Sequence, residues 1–266
     1  MRPLVMGVLN VTPDSFYDGG RYFDHAAAVA HGREMIAEGA DIVDVGGEST
    51  RPGAPPVALS EELDRVLPVV EILAREARVS IDTTKAEVAR RAVACGASML
   101  NDVSASLAGV AAETGAAFVA MHRKGTPADM QEDPRYDDVV AEVAAYLAER
   151  AASARAMGVE EVWVDPGVGF GKTAHHNLRL LADLARIVDL GYPVLVGTSR
   201  KTFLGRIEAG ELDGPPSPAE ERFEGSLASA VVAMAAGAAA VRVHDVTATA
   251  RAAALVGPLP ATRASR

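Results

Sequence analysis

Eight short apolar runs in this chain of 266 residues each end on or beside a group that can carry charge or hydrogen-bond. These groups are Asn10, Asp44 with Glu48, Asp82, Asn101, His122, Asp165, Ser199-Arg200-Lys201, and Arg242 with His244. A carboxylate such as Asp165 can accept two hydrogen bonds at once from a donor edge, and charge-assisted pairs of that kind are the strong ones. Asn101 offers a donor and an acceptor together. Lys201 and Arg242 form a local basic island suited to an anion. Taken singly, each group has a plainer role: Asp165 as a cap before a glycine-rich turn, Asp82-Thr83 as a strand-end cap. It is their recurrence at every strand end that points to chemistry.

The elements that would position them repeat a unit: an alanine-rich helical stretch, a glycine, a short β-rich run, then a polar residue. It appears at Glu38 to Gly46, Cys95 to Asp102, Gly115 to His122, Gly158 to Asp165, Gly191 to Gly197 and Gly237 to His244. Glycine accepts the left-handed backbone that ends a helix. An unbroken apolar run of about four to six residues suits a strand buried on both faces, as in a parallel sheet. With Leu4 to Leu9 and Val79-Ser80-Ile81 the units number eight, alternating with helices. Eight in that order predict a (β/α)₈ TIM barrel, whose active site lies where strands pass into βα loops. An open doubly wound sheet is the alternative, but its glycine-rich nucleotide turn is missing after the first run. The expected organisation is one domain over residues 1–257 and a frayed tail at 258–266.

Two loops, Asn10 to Gly20 and Gly46 to Pro56, are rich in Gly and Pro and long enough to act as lids. Glu211 to Pro218 leads into the last long helix. Gly225 to Val241 is uncharged but slightly short for a membrane span, and is expected to be a buried helix followed by a strand. The formal charge of −10 argues against nucleic acid or an anionic membrane as partner. The single cysteine, Cys95, and the absence of a signal-peptide pattern fit a cytoplasmic protein. Gly167-Val-Gly-Phe-Gly-Lys-Thr falls one residue short of a P-loop, because position 166 is proline, and the spacing decides which amides reach a phosphate. His175-His176 lacks partners at zinc spacing. His122 has no assigned role.

Asn10-Val-Thr-Pro-Asp-Ser-Phe, Ser49-Thr-Arg-Pro-Gly, Ser80-Ile-Asp-Thr, Asn101-Asp-Val-Ser, Asp165-Pro-Gly-Val-Gly-Phe-Gly-Lys-Thr, Ser199-Arg-Lys and Arg242-Val-His-Asp resemble, in order, the signature segments of dihydropteroate synthases. Met121-His-Arg-Lys-Gly-Thr-Pro and Glu224-Gly-Ser-Leu-Ala are similar as well, so that the resemblance runs from about residue 4 to 250. It implies condensation of (7,8-dihydropterin-6-yl)methyl diphosphate with p-aminobenzoate, giving 7,8-dihydropteroate and pyrophosphate in folate biosynthesis. Two departures touch loop detail: Tyr17 stands where a small polar residue is usual, and Ala105-Ser106 where two glycines are expected.

The same resemblance implies the site. Asp82, Asn101, Asp165 and Lys201 would bind the pterin, whose 2-amino group and adjacent ring N–H suit the Asp165 carboxylate. Asn10, Thr50, Arg242 and His244 would bind diphosphate, with Asn10 at a Mg²⁺ position. Thr50, Arg51, Pro52, Phe16 and Ser199 would border p-aminobenzoate, and sulfonamide inhibitors as its mimics. Lys201, Asp82 and Arg242 would be catalytic, and a homodimer is expected. Because an arylamine is a weak nucleophile, catalysis should lie mainly in leaving-group departure along a carbocation-like path. A methyltetrahydrofolate methyltransferase-like barrel or a non-catalytic pterin-binding paralogue are the competing readings. Methyl transfer releases no diphosphate, which counts against the first, and the intact Thr50-Arg51-Pro52 and Lys201 count against the second.

Overall fold

The computed structural model describes residues 2–12, 24–49, 56–126 and 129–257. All eight apolar runs are strands: β1 (Leu4–Asn10), β2 (Ile42–Gly46), β3 (Arg78–Asp82), β4 (Met99–Asp102), β5 (Ala117–Met121), β6 (Val162–Asp165), β7 (Leu195–Val196) and β8 (Ala240–Val243). Between them lie α1 (His25–Ala37), α2 (Leu59–Leu73), α3 (Ala86–Ala94), α4 (Ala108–Thr114), α5 (Val139–Ala156), α6 (Ala174–Ala182), α7 (Ala185–Val188), α8 (Thr202–Glu208) and α9 (Phe223–Ala235), and α10 (Val246–Val256) follows β8. Each strand pairs in parallel with its sequence neighbour, and β1 pairs with β8. The ring closes between β6 and β7 through the bridge Val164–Val194 and the bond from Val164 N–H to Pro193 O at 3.0 Å. That closure excludes the open sheet and makes the fold a (β/α)₈ barrel.

The strand period of two sorts the side chains. Met6, Ile42, Met99, Ala117, Val119, Trp163, Leu195 and Ala240 form an inner cluster within the barrel. Val5, Leu9, Val43, Val45, Val79, Ile81, Leu100, Phe118 and Val164 belong to a larger cluster with the helices. Trp163 is the largest inner side chain, and its indole N–H donates to Glu161 Oε1 at 2.7 Å, so no donor is stranded. Alternation also carries the polar strand ends inward. Asp44 lies two residues beyond Ile42, Asn101 two beyond Met99, Asp165 two beyond Trp163 and Arg242 two beyond Ala240. Above an apolar floor the barrel is thus lined by charge.

The glycine of every repeat has a positive φ, from 73° at Gly115 to 110° at Gly96. The expected glycines were the real helix stops. The uncharged stretch is α9 and β8, and among the described residues no helix is long and apolar enough to cross a membrane. Ala105, where the resemblance led one to expect glycine, keeps the left-handed backbone at φ 51°. A Cβ there costs on the order of 1–2 kcal/mol.

Two glycine substitutions should move stability in opposite directions. A Cβ on Gly96 would lie 2.8 Å from that of Ala74, at a φ of 110° that side chains avoid. Gly96→Ala should therefore destabilise by about 1–3 kcal/mol. Gly109, inside α4, has nothing within 4 Å of an added Cβ. Gly109→Ala should stabilise by about 0.4–1 kcal/mol. Urea unfolding of both variants checks the pair; a Gly96→Ala as stable as the parent would show that this helix end tolerates a side chain.

Candidate active site

At the C-terminal mouth of the barrel, Arg242 on β8 reaches across to β2 and β3. Its Nε donates to Asp44 Oδ2 at 2.6 Å and its Nη2 to Asp82 Oδ2 at 2.8 Å. Asn101 Nδ2 donates to the same Asp44 oxygen at 3.0 Å. Asp44 has no solvent exposure, and Asp82 and Asn101 are also buried. Arg242 carries five N–H donors. Two are committed to these carboxylates and fix the plane of the guanidinium. Asp44 was legible as a polar strand end, yet sequence reasoning gave it no role; its signal was a charged residue within the apolar run Ile42-Val43-Asp44-Val45. Asn10 ends β1 opposite Gly46, which stands opposite Asp82, so the three share one register level.

Asp165 ends β6 and accepts the Gly167 N–H at 2.7 Å through Oδ1. This is the turn-capping bond that a plainer reading would assign, but it occupies one oxygen of a buried carboxylate. Lys201 precedes α8; its Nζ donates to Val168 O and lies 4.6 Å from the centre of the Phe170 ring, a cation–π contact. Ser199 Oγ accepts the His244 N–H at 3.2 Å and shares a 2.9 Å hydrogen bond with His244 Nδ1. Arg200 turns away, with φ 57° and an ion pair to Asp245 at 2.9 Å. This reversal separates the three residues of the Ser-Arg-Lys segment: Ser199 meets β8, Arg200 the outside, Lys201 the β6 loop.

Electrostatics draws these groups into one field. Burial pushes Asp165 up, against the opposing pull of Lys201, the Gly167 N–H, Lys172 and Arg242. Burial lowers Lys201 to about 8, with Asp165 opposing, Arg242 reinforcing and Asp82 opposing. Arg242 is penalised by burial but held charged by Asp44 and Asp82. Asp165, Lys201 and Arg242 thus act on one another, and Asp82 joins them through Arg242 and Lys201. Ser199 and His244 form a pair beside them. Thr50, Arg51, Pro52 and Phe16 lie outside the described residues, as does Tyr17.

A second set of charges was not foreseen. Lys85, after β3, pairs with Glu48 and with the buried Glu62 of α2, whose Oε1 accepts Thr83 Oγ–H at 2.6 Å. Arg65 donates to Gly47 O at 2.7 Å. These bonds tie residues 47 and 48, just after β2, to α2 and to the turn after Asp82. Another buried cation, Lys172, belongs to the near-miss phosphate motif and contacts His122 instead.

No group of three or more His, Cys, Asp or Glu among the described residues could hold a metal ion. Magnesium, however, keeps most of its waters and binds through substrate phosphates, needing only one or two protein oxygens. The amide oxygen of half-buried Asn10, at the strand end on the level of Asp82, is a fitting hard donor for an ion arriving on a diphosphate.

The family of pterin binding enzymes matches residues 6–244. The dihydropteroate synthase of Escherichia coli K12 is 50% identical over 255 residues, covering 93% of this chain and 88% of its own. Among solved structures, the dihydropteroate synthase of Yersinia pestis with a sulfonamide drug complex superposes with a TM-score of 0.88 at 41% identity, covering 96% of this chain and 94% of that one. The enzyme of Xanthomonas albilineans matches with 4-aminobenzoic acid (TM-score 0.88, 46% identity, 97% and 94% covered) and with 7,8-dihydropteroate (TM-score 0.84, 43% identity, 97% and 95% covered).

Asp82 yields a test of the site's electrostatics. Burial pushes its carboxyl up to about 7; Arg242 pulls the other way, while Asp44, Asp102 and Glu62 add to the rise. An unfolded aspartate releases its proton near pH ~4. Between pH ~4 and ~7 the folded protein thus holds one proton more than the unfolded chain, and Asp82 makes the unfolding free energy fall as pH rises. Urea unfolding at pH ~5 and ~8 should show a larger loss in the parent than in Asp82→Asn. Equal losses would place that proton elsewhere.

Proposed function

The chain belongs to the dihydropteroate synthase family of pterin-binding enzymes, transferases that join a pterin-methyl diphosphate to p-aminobenzoate and release pyrophosphate, and on that premise we propose how its own residues divide the work. The observation that carries the division is the arrangement of two polar sets at one mouth: buried acceptors at the ends of β3, β4 and β6, and Arg242 with His244 on and after β8, the guanidinium reaching Asp82 between them.

Asp165 accepts the 2-amino and ring N–H donors of the pterin, and its burial makes each charge-assisted bond strong. Asn101 is oriented by its bond to Asp44 and faces the remaining ring edge with its amide oxygen. Asp82 sits where positive charge grows on the pterin as the leaving group departs. Lys201, charged below about pH 8, bridges the pterin and the p-aminobenzoate side. Arg242 and His244 receive the diphosphate; the guanidinium is already pinned, so little ordering remains to be done on binding. When bound, Mg²⁺ would neutralise charge on the departing diphosphate, with Asn10 as its protein oxygen. In the reaction the C–O bond to diphosphate breaks, the arylamine nitrogen forms the new C–N bond, and one N–H proton leaves that nitrogen for solvent or the departing pyrophosphate. Departure leads and attack follows, which suits a weak nucleophile beside two carboxylates. Ser199, with Thr50, Arg51, Pro52 and Phe16, borders p-aminobenzoate and the sulfonamides that mimic it. The related enzyme structures with 4-aminobenzoic acid and a sulfonamide support that pocket. A cytoplasmic homodimer completes the reading, which the free thiol of Cys95 and the acidic composition fit.

Two variants test the division by calorimetry. Arg242→Ala should weaken binding of the pterin diphosphate far more than that of a pterin lacking diphosphate. Asp165→Asn should weaken both, by on the order of 1.5–3 kcal/mol for one lost charge-assisted bond. Equal losses for both ligands in Arg242→Ala would assign it to folding rather than to phosphate, and unchanged pterin affinity in Asp165→Asn would remove Asp165 from the pterin.

A further inference from the structure

Lys172 lies in the segment that comes one residue short of a phosphate loop, and its partners are His122 and the carbonyls of its own turn. Its side chain is 3% exposed as part of a buried residue at the end of the β6–α6 connection. Nζ is 2.9 Å from His122 Nδ1, 2.9 Å from Gly167 O and 3.0 Å from Phe170 O. A fourth acceptor, His122 O, lies at 3.4 Å, and none of the four is a carboxylate. Burial lowers Lys172 to about 7, with Asp165 opposing and Lys201 and Lys124 reinforcing; in its charged form Nζ has no lone pair, and His122 Nδ1 then accepts. Burial, with Lys172 and Lys124 beside it, lowers His122 to about 3 and keeps the ring a neutral acceptor.

The connection that Lys172 ties together is the one that shapes the pterin end of the site. Gly167 N–H caps Asp165, Val168 O accepts Lys201 Nζ, and the Phe170 ring lies against the same ammonium. The loop also presses backbone to backbone on the segment after β5. A Cβ on Gly167 would come within 1.8 Å of His122 O, and one on Gly171 within 2.1 Å of Lys124 O. At such contacts no side chain can act as spacer. Gln131 and Tyr136, from the same connection after β5, donate to Gly169 O and Gly171 O at 2.7 and 2.9 Å. Among the described residues, Lys172 reaches two carbonyls within the turn and His122 on the β5 side together.

We propose that Lys172 is a positioning residue for the pterin pocket, its buried amino group clamping residues 165–171 onto His122 so that Asp165 and Lys201 present their polar atoms at fixed places. This explains why the lysine of the motif is kept from the solvent, and it gives His122 a role as the clamp's anchor. The clamp bears on the β6 side of the site only; Arg242 and His244 stand on other elements. The inference rests on the pterin reading of Asp165.

The test compares Lys172→Met, Lys172→Gln and Asp165→Asn with the parent by calorimetry, using a pterin lacking diphosphate and, separately, inorganic pyrophosphate with Mg²⁺. Lys172→Met should weaken pterin binding by about tenfold or more and leave pyrophosphate binding within about twofold. Lys172→Gln, which restores neutral donors, should recover part of the loss. If Lys172→Met does not fold, Lys172→Gln decides by the same split. Loss of both ligands in equal measure would mean a merely structural lysine and overturn the proposal, as would parent-like pterin affinity in a folded variant. Should Asp165→Asn itself bind pterin like the parent, the underlying site reading fails instead, and the two failures are told apart.

Discussion

A guanidinium held inside the barrel by two carboxylates sets the terms for the rest of the molecule. Arg242 keeps 22% of its side chain exposed at the mouth, whereas Asp44 is fully buried, so the Asp44 charge depends on the guanidinium, which Asp82 shares. Removing one partner of such a buried pair costs on the order of 3–5 kcal/mol, because the other is left uncompensated. The barrel must therefore bring β2, β3 and β8 to one register before the site can exist. Alternation along the strands does this: the same faces that bury Ile42 and Ala240 lower in the barrel carry Asp44 and Arg242 above them. Asn101 is drawn into the same cluster by its bond to Asp44, which fixes which end of its amide is left for a ligand. Fold and site are thus one arrangement.

The remaining specificity comes from a different source. On the β6 side the polar groups are held by backbone rather than by opposite charge: a glycine N–H on Asp165, a valine carbonyl on Lys201, and close main-chain packing against the segment after β5. A carboxylate held in this way keeps its second oxygen's lone pairs for a ligand. An arginine held by two carboxylates keeps N–H donors for one. The two halves are complementary to a substrate with a donor edge at one end and a polyanion at the other. This is the chemistry of a pterin-methyl diphosphate.

Much of this was legible in the residue order. The glycine before six of the eight apolar runs marked the helix end, because only glycine is easy at the positive φ those ends adopt; Gly96 and Gly237 show it at 110° and 106°. The strand ends marked the site, because a parallel barrel gathers them at one mouth. What could not be read was pairing across the ring. Asp44 and Arg242 are 198 positions apart, and no local pattern tells a buried carboxylate that it will meet a guanidinium. Lys172 looked like a fragment of a phosphate loop, and its true partners, a neutral histidine and two carbonyls, depend on how the β6 turn folds against β5. Lys85 and Glu62 were hidden for the same reason. Ala105 adopts the left-handed conformation expected of glycine at its position, so there the backbone was easier to foresee than the side chain.

The dependence on the buried pair is tested most directly by a double-mutant cycle in unfolding free energy between Asp44→Asn and Arg242→Gln. Arg242→Gln strands the Asp44 carboxylate, while Asp44→Asn leaves Arg242 with Asp82 as its remaining partner, so the losses should not add. The expected coupling is at least about 1.5 kcal/mol, in the range for contacting buried charges, with the double variant no less stable than Arg242→Gln alone. Losses that add to within about 0.5 kcal/mol would mean that the two side chains do not support one another, and that the barrel mouth is organised without them.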